Sequence, residues 1–381
     1  MSLLRRPLAV VAAAAGMLAL GVPAVASPGP SHHGDRHDDR KLAVQQVNLV
    51  SDVPGLAPLT DPDVANPWGL ALLPTSPLWS ANNATDVATL YTVAPGGATA
   101  TKVPAVRPTF PDTPELPTGQ VANGGTGFVN TLNGASAPAR FIFSTLTGHI
   151  EAWAPGLDPG PGPTETRATV PGAVYTGLAL ATASTGDQLY AANFGQNRID
   201  VFDSNFAQVN TPSWAFRDRH EPRGYAPFGV QALNGNIFVA YAKVDPKTGR
   251  SQDGVGLGIV DEFTVDGRLV ARVASHQSLD GPWGMAIAPA SWGTLAGSLL
   301  VGNFGNGRIN VISLGRPDNK GKGNGDARIV GQLRDSHGRT LSIERLWALL
   351  PGTATTGGTD AVFFSAGIND EQNGLIGLLR P

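Results

Sequence analysis

One pattern recurs along this chain and narrows what it can become: a Pro-x-Gly turn signal with an apolar run, a strand ending in Asn, and a second strand. Leu78 to Tyr91, Leu189 to Phe202 and Leu299 to Ile312 superimpose without gaps and place Asn82, Asn193 and Asn303 at the same point of each. Ahead of the hairpins stand Pro67-Trp-Gly-Leu-Ala71, Thr176-Gly-Leu-Ala179, Pro227-Phe-Gly-Val230 and Pro282-Trp-Gly-Met-Ala286, and Gly124–Val129 and Arg345–Leu349 fill two further positions. With Gly69, Gly127, Gly177, Gly229, Gly284 and Trp347 as markers, the spacings are 58, 50, 52, 55 and 63 residues. Self-similarity at such a period signals stacked supersecondary units, and a four-stranded unit with variable loops has the size of a propeller blade. The expected fold is all-β: a six-bladed β-propeller.

The ends of the chain bear on ring closure. The last unit offers Leu346–Leu350, Val362–Ser365 and Leu375–Leu379 and then stops at Pro381, one strand short. An orphan strand, Val44–Val50, precedes the first Pro-Trp-Gly turn. Placed beside Leu375–Leu379 it would complete the last blade and remove an exposed sheet edge, a known route to aggregation. The abundance of turn formers, 48 Gly and 31 Pro, agrees with many short strands.

Residues 1–26 read as a secretory signal peptide: Arg5 and Arg6, an Ala-rich apolar run, then Ala24-Val-Ala26 as a small-residue cleavage site. Residues 27–43 read as a polar, unstructured leader and 44–381 as the propeller, exported to an extracellular or periplasmic location as a monomer. No cysteine is present, so a core rather than disulfides must hold the exported chain together. Loss of Arg5 and Arg6 takes the net charge from −3 to −5, with no basic stripe of the kind that binds nucleic acid. Beyond the leader no apolar run is long enough for a membrane span.

In an antiparallel four-stranded blade, the turn into the innermost strand and the turn between the second and third strands lie on one face. Trp68, Phe228, Trp283 and Trp347 therefore stand near Asn82, Asn193 and Asn303 at the mouth of the central channel, with Tyr241 and Ser144 as position equivalents. These are the ligand-binding candidates. The amide oxygens, with Asp86 and Asp370 supplying charge, form a candidate cage for a hard cation such as Ca2+, which takes six to eight oxygens; no cofactor is required by the pattern. The same residues also serve as ordinary turn formers. His149, after the turn Leu146-Thr-Gly148, is the only His in an equivalent turn position, and resemblance to propeller lyases that use a channel His as general base makes it the candidate for that role. Long segments interrupt the blades at 107–120, 155–165, 243–257 and 315–328, and 243–257 falls on the proposed functional face as a rim or lid.

Gln196-Asn-Arg-Ile-Asp-Val-Phe202 and Asn306-Gly-Arg-Ile-Asn-Val-Ile312 resemble the NHL repeat. Over the whole mature chain, including Ala366–Ile376, the sequence resembles a family of secreted bacterial propellers associated with PEP-CTERM genomes, although it lacks a C-terminal Pro-Glu-Pro anchor. That resemblance implies a fold and a compartment. Six-bladed lactonases share the blade count, but they hold their metal partly through a Glu near the start of the first blade, and the mature chain has no Glu before Glu115. The function expected is a secreted binding module that presents its loop-rich face to an extracellular ligand or protein. The alternative is a lactonase-like metal-dependent hydrolase, or a lyase, acting at the channel mouth.

Overall fold

The computed structural model describes residues 42–111, 114–132, 134–157, 162–315 and 327–381. The signal peptide, all but the last two residues of the leader, and most of segment 315–328 lie outside the described residues.

Six sheets follow one another as the six blades of a propeller, antiparallel throughout except that in blade six the short strand Leu59–Thr60 pairs parallel with Gln45–Ser51. Four-stranded blade two runs Pro117–Ala122, Phe141–Thr145, His149–Trp153 and Glu165–Thr169 from the axis outward. Blade six is composite. Its three C-terminal strands are Leu346–Pro351, Val362–Ala366 and Leu375–Arg380, and the N-terminal strand Gln45–Ser51 pairs antiparallel with the last of them. The orphan strand thus closes the ring. A bulge between Asn48 and Val50 lets the neighbours Leu49 and Val50 both be buried on the blade-six core.

The Pro-x-Gly signal has a steric cause. The innermost strands converge on the axis, and a Cβ built on Gly119 would lie 2.2 Å from the Leu178 nitrogen of blade three. On Gly229 or Gly284 it would lie 2.2 Å from a carbonyl oxygen of the next blade, that of Trp283 or Trp347. Only glycine lets neighbouring inner strands approach this closely. The core is otherwise a ring of clusters between blades. Trp79 of blade one stacks on Phe141 of blade two with centroids 3.8 Å apart, and blades three and four share Tyr190, Ile199, Ile237 and Val239.

One expectation is corrected. Gly124–Val129 does not begin blade two; it leads into an inserted hairpin, Val129–Leu132 with Ala135–Pro138. The true inner strand begins at Pro117-Thr-Gly119, whose polar Thr118 and Gln120 hide the apolar signature that the other blades display. Among the described residues no helix is long and apolar enough to cross a membrane.

Candidate functional site

The strand register identifies equivalent positions. Asn82 pairs with Pro67, Thr145 with Pro117, Asn193 with Tyr175, Tyr241 with Pro227, Asn303 with Pro282, and Ala366 with Leu346. The blade-two equivalent is therefore Thr145 rather than Ser144. Two residues earlier on the second strand, the cross-strand partners on the third strand are Thr89, Glu151, Asp200, Asp261, Asn310 and Gly377. All but Gly377 are polar and buried, so each needs a partner.

In blades one, three and five the Asn meets that need. Asn82 donates to Thr89 Oγ1 at 2.9 Å, Asn193 to Asp200 Oδ2 at 2.7 Å, and Asn303 Oδ1 accepts from Asn310 at 3.1 Å. Their remaining amide atoms bond locally, to Ser80, Gln196 and Asn306 among others. The three candidate Asn side chains thus face into their own blades. In blade four, Arg272 pairs with Asp261 and Asp218. Burial pushes the Tyr241 hydroxyl well above its usual pKa, and its oxygen has no hydrogen-bond partner among the described residues.

Blade two departs from the pattern. Thr145 Oγ1 bonds Thr147 at 2.7 Å and accepts from the His149 backbone N–H, leaving Glu151 to other neighbours. Glu151 Oε2 accepts from Thr164 at 2.8 Å, while its Oε1 is buried without a partner. Burial pushes this carboxyl up to about 7, with the Thr166 and Thr164 hydroxyls pulling it down. Glu115, fully buried just before the inner strand, receives the Thr147 hydroxyl and lies 2.9 and 3.0 Å from His149 Nδ1 through its two oxygens. One ligand-type atom from each of Glu115, His149 and Glu151 lies within 4.8 Å of the others. Two carboxylates and an imidazole in this arrangement are compatible with a metal ion.

Asp86 holds this group in place rather than joining it. Its Oδ1 accepts from the backbone N–H groups of Glu115 and Leu116 at 3.1 and 2.7 Å, and Leu116 adopts a left-handed φ of 55°. Asp370, the other acidic candidate, pairs with Arg345 at 2.7 Å on the rim.

A separate cavity of about 470 Å³ opens at the channel mouth. Its apolar lining combines the rings of Trp68, Phe194, Phe228, Phe304 and Trp347 with aliphatic side chains such as Leu116 and Leu146, and Asn66, Asn83, Arg250 and Glu371 supply polar groups. Below it the axis narrows to a void of about 20 Å³ among inner-strand residues such as Gly69, Gly119 and Gly284. Trp68 and Trp347 stack with centroids 3.5 Å apart, and Phe304 lies 4.2 Å from Trp347. Trp283 instead donates its indole N–H to the Thr176 carbonyl oxygen at 2.7 Å. Segment 243–257 does reach the rim: Arg250 bonds both Glu371 oxygens at 2.9 Å, and Asp253 pairs with Arg345 at 2.6 Å.

Three of the candidates, Trp68, Phe228 and Trp347, line this cavity; Asn82, Asn193, Asn303, Tyr241 and Trp283 do not. The lining residues Asn83, Phe194 and Phe304 each follow a candidate Asn by one position. Successive side chains alternate in direction, so the Asn turns inward while its neighbour faces the mouth. Glu115 and Glu151 carry no comparable sequence signal, beyond the His149-Ile-Glu151 that aligns with Arg198-Ile-Asp200.

No family profile matches the chain. It is 32% identical over 346 residues to the uncharacterized protein L690 of Acanthamoeba polyphaga mimivirus, covering 89% of this chain and 87% of the viral one. To the uncharacterized protein R648 of the same virus it is 31% identical over 342 residues, covering 89% and 80%. The chain belongs to the family of these viral proteins. Membership extends over nearly all of the propeller. Among solved structures, the virginiamycin B lyase from Staphylococcus aureus aligns with 89% of this chain and 99% of that one, at 11% identity and a TM-score of 0.47.

Proposed function

We propose that this protein is a binding propeller that takes up a small molecule in the aromatic cavity at its channel mouth. One observation carries the reading. Four blades place Trp68, Phe228, Trp283 and Trp347 one residue after the inner-strand position that pairs near the end of the second strand, whereas blades two and three place Thr118 and Thr176 there, and the cavity opens beside Thr176. Its volume of about 470 Å³ falls in the range of small-molecule sites, which are mostly apolar with a few placed polar groups. The wall suits a planar or apolar ring, and the Arg250–Glu371 pair and Asn66 suit polar substituents on it. The buried Trp68 indole N–H has no partner among the described residues.

Export of the chain after a signal peptide at 1–26 belongs to the same proposal, and an N-terminus at Ser27 in the culture supernatant would support it. A second reading, the metal-dependent hydrolase or lyase, draws on the contact between His149 and Glu115. A carboxylate can orient an imidazole for general-base work.

Thr176→Phe tests the binding reading, because it uses a residue class that the repeat itself accepts at this position. Small cyclic and aromatic compounds are screened by quenching of tryptophan fluorescence. A compound that quenches the wild type but not Thr176→Phe, at unchanged thermal midpoint, supports the proposal. Equal binding to both proteins removes the cavity as the site.

A further inference from the structure

We propose that Glu115, His149 and Glu151 bind a divalent transition metal such as Zn2+ or Mn2+ between blades one and two. This goes beyond the cavity reading and rests on different residues.

The first argument is charge. Glu115 and Glu151 are both fully buried, and the only charged partner that either contacts among the described residues is His149. Buried charges are paired or coordinate metals. A divalent cation would give both buried carboxyl groups a shared partner, whereas the imidazole of His149 makes its direct contacts with Glu115. Secondly, Glu151, one of the three clustered residues, has a buried oxygen, Oε1, with no hydrogen-bond partner among the described residues. Thirdly, the spacing fits. Ligand atoms bound at about 2.0–2.2 Å to one ion stand about 2.8–3.6 Å apart, depending on coordination number, so His149 Nδ1 and Glu115 Oε1, now at the hydrogen-bond distance of 2.9 Å, need to part by well under an ångström.

The surroundings resemble a second coordination shell, in which the ligands' other atoms are held by hydrogen bonds. Thr147 donates to Glu115 and Thr164 to Glu151, each through Oε2, while Asp86 fixes the backbone at Glu115 and Leu116. The repeat supplies a comparison as well. Blades one, three and five consume the equivalent third-strand residue with an Asn, and blade two, with Thr145 there, does not. An imidazole with two carboxylates favours zinc, manganese or iron over calcium, which prefers oxygen alone. His149 retains 18% side-chain exposure, which gives the ion a way in from the loop face.

The test uses the full chain after chelator treatment and dialysis. Because His32, His33 and His37 near the N-terminus also offer imidazoles, the readout is the difference between wild type and variants. With Co2+ as the probe, the wild type is expected to take up one equivalent more than His149→Ala or Glu151→Gln and to show visible d–d bands that both variants lack. Zn2+ should raise the wild-type thermal midpoint and Ca2+ should not. Either substitution should weaken Co2+ binding by more than about 100-fold, beyond the range of second-shell changes. Glu151→Gln is nearly isosteric, and an unchanged circular dichroism spectrum separates metal loss from misfolding; should it fail to fold, His149→Ala carries the test. Equal Co2+ uptake and identical spectra for wild type and variant would overturn the proposal.

Discussion

Closure of the ring by the N-terminal strand makes blade six depend on two side chains. Leu49 and Val50 are fully buried in a cluster that also contains Ile376, Leu378 and Trp347. Leu→Ala in such a site costs about 2–5 kcal/mol. Val→Ala removes two methyl groups and adds a smaller cavity, about 2–3 kcal/mol. The double variant Leu49→Ala/Val50→Ala should therefore lose roughly 4–8 kcal/mol, comparable with the about 5–15 kcal/mol that holds a typical domain folded. Gln45→Ala, at an exposed position of the same strand, should cost almost nothing. Urea unfolding followed by circular dichroism reads the difference as a shift in midpoint. Detachment would also expose the edge of Leu375–Arg380, so the double variant should associate in a concentration-dependent way. A double variant within about 1 kcal/mol of the wild type would refute the closure argument.

Two further predictions concern packing and charge. Gly229→Ala should destabilise by about 1–3 kcal/mol or more through overpacking, because its new Cβ would meet the Trp283 carbonyl oxygen at 2.2 Å, whereas Gly177→Ala, with its nearest atom at 3.2 Å, should cost far less; equal thermal midpoints for the two would contradict the role assigned to these glycines. Burial lifts the Glu221 carboxyl from 4.5 to about 7, helped by Asp261 and opposed by Arg217. Between those values the folded state holds a proton that the unfolded state releases, so this group's contribution to stability falls as pH rises through that window. Glu221→Gln should raise the thermal midpoint at pH 8 and leave it unchanged at pH 4, and the opposite trend would reverse the sign of the argument.

The features that pack the backbone were the legible ones. Pro67-Trp-Gly69 and Pro282-Trp-Gly284 announce inner strands because the glycine answers a steric demand repeated around the axis, and Val44–Val50 announces closure because the last unit lacks a strand. The inner strand of blade two is masked in the sequence because Thr118 and Gln120 interrupt the apolar pattern. The cavity was read with an offset of one residue: Asn193 is conspicuous, yet Phe194 reaches the mouth, and only the strand register reveals which side chain turns outward. Glu115 and His149 are 34 positions apart, and nothing local in the sequence says that the lead-in to one strand folds onto the start of another. Arg250 likewise meets Glu371 only because an insertion in blade four crosses to blade six.

The chain contains seven tryptophans, and fluorine NMR of protein labelled with 5-fluorotryptophan can report on each separately. Trp68 and Trp347 line the cavity, Trp79 is buried between blades one and two, and Trp214 is exposed beside Arg268. Titration with a quenching compound should move the Trp68 and Trp347 resonances together, with one binding constant, and leave Trp79 and Trp214 in place. Saturable binding that leaves Trp68 and Trp347 unmoved would contradict the account.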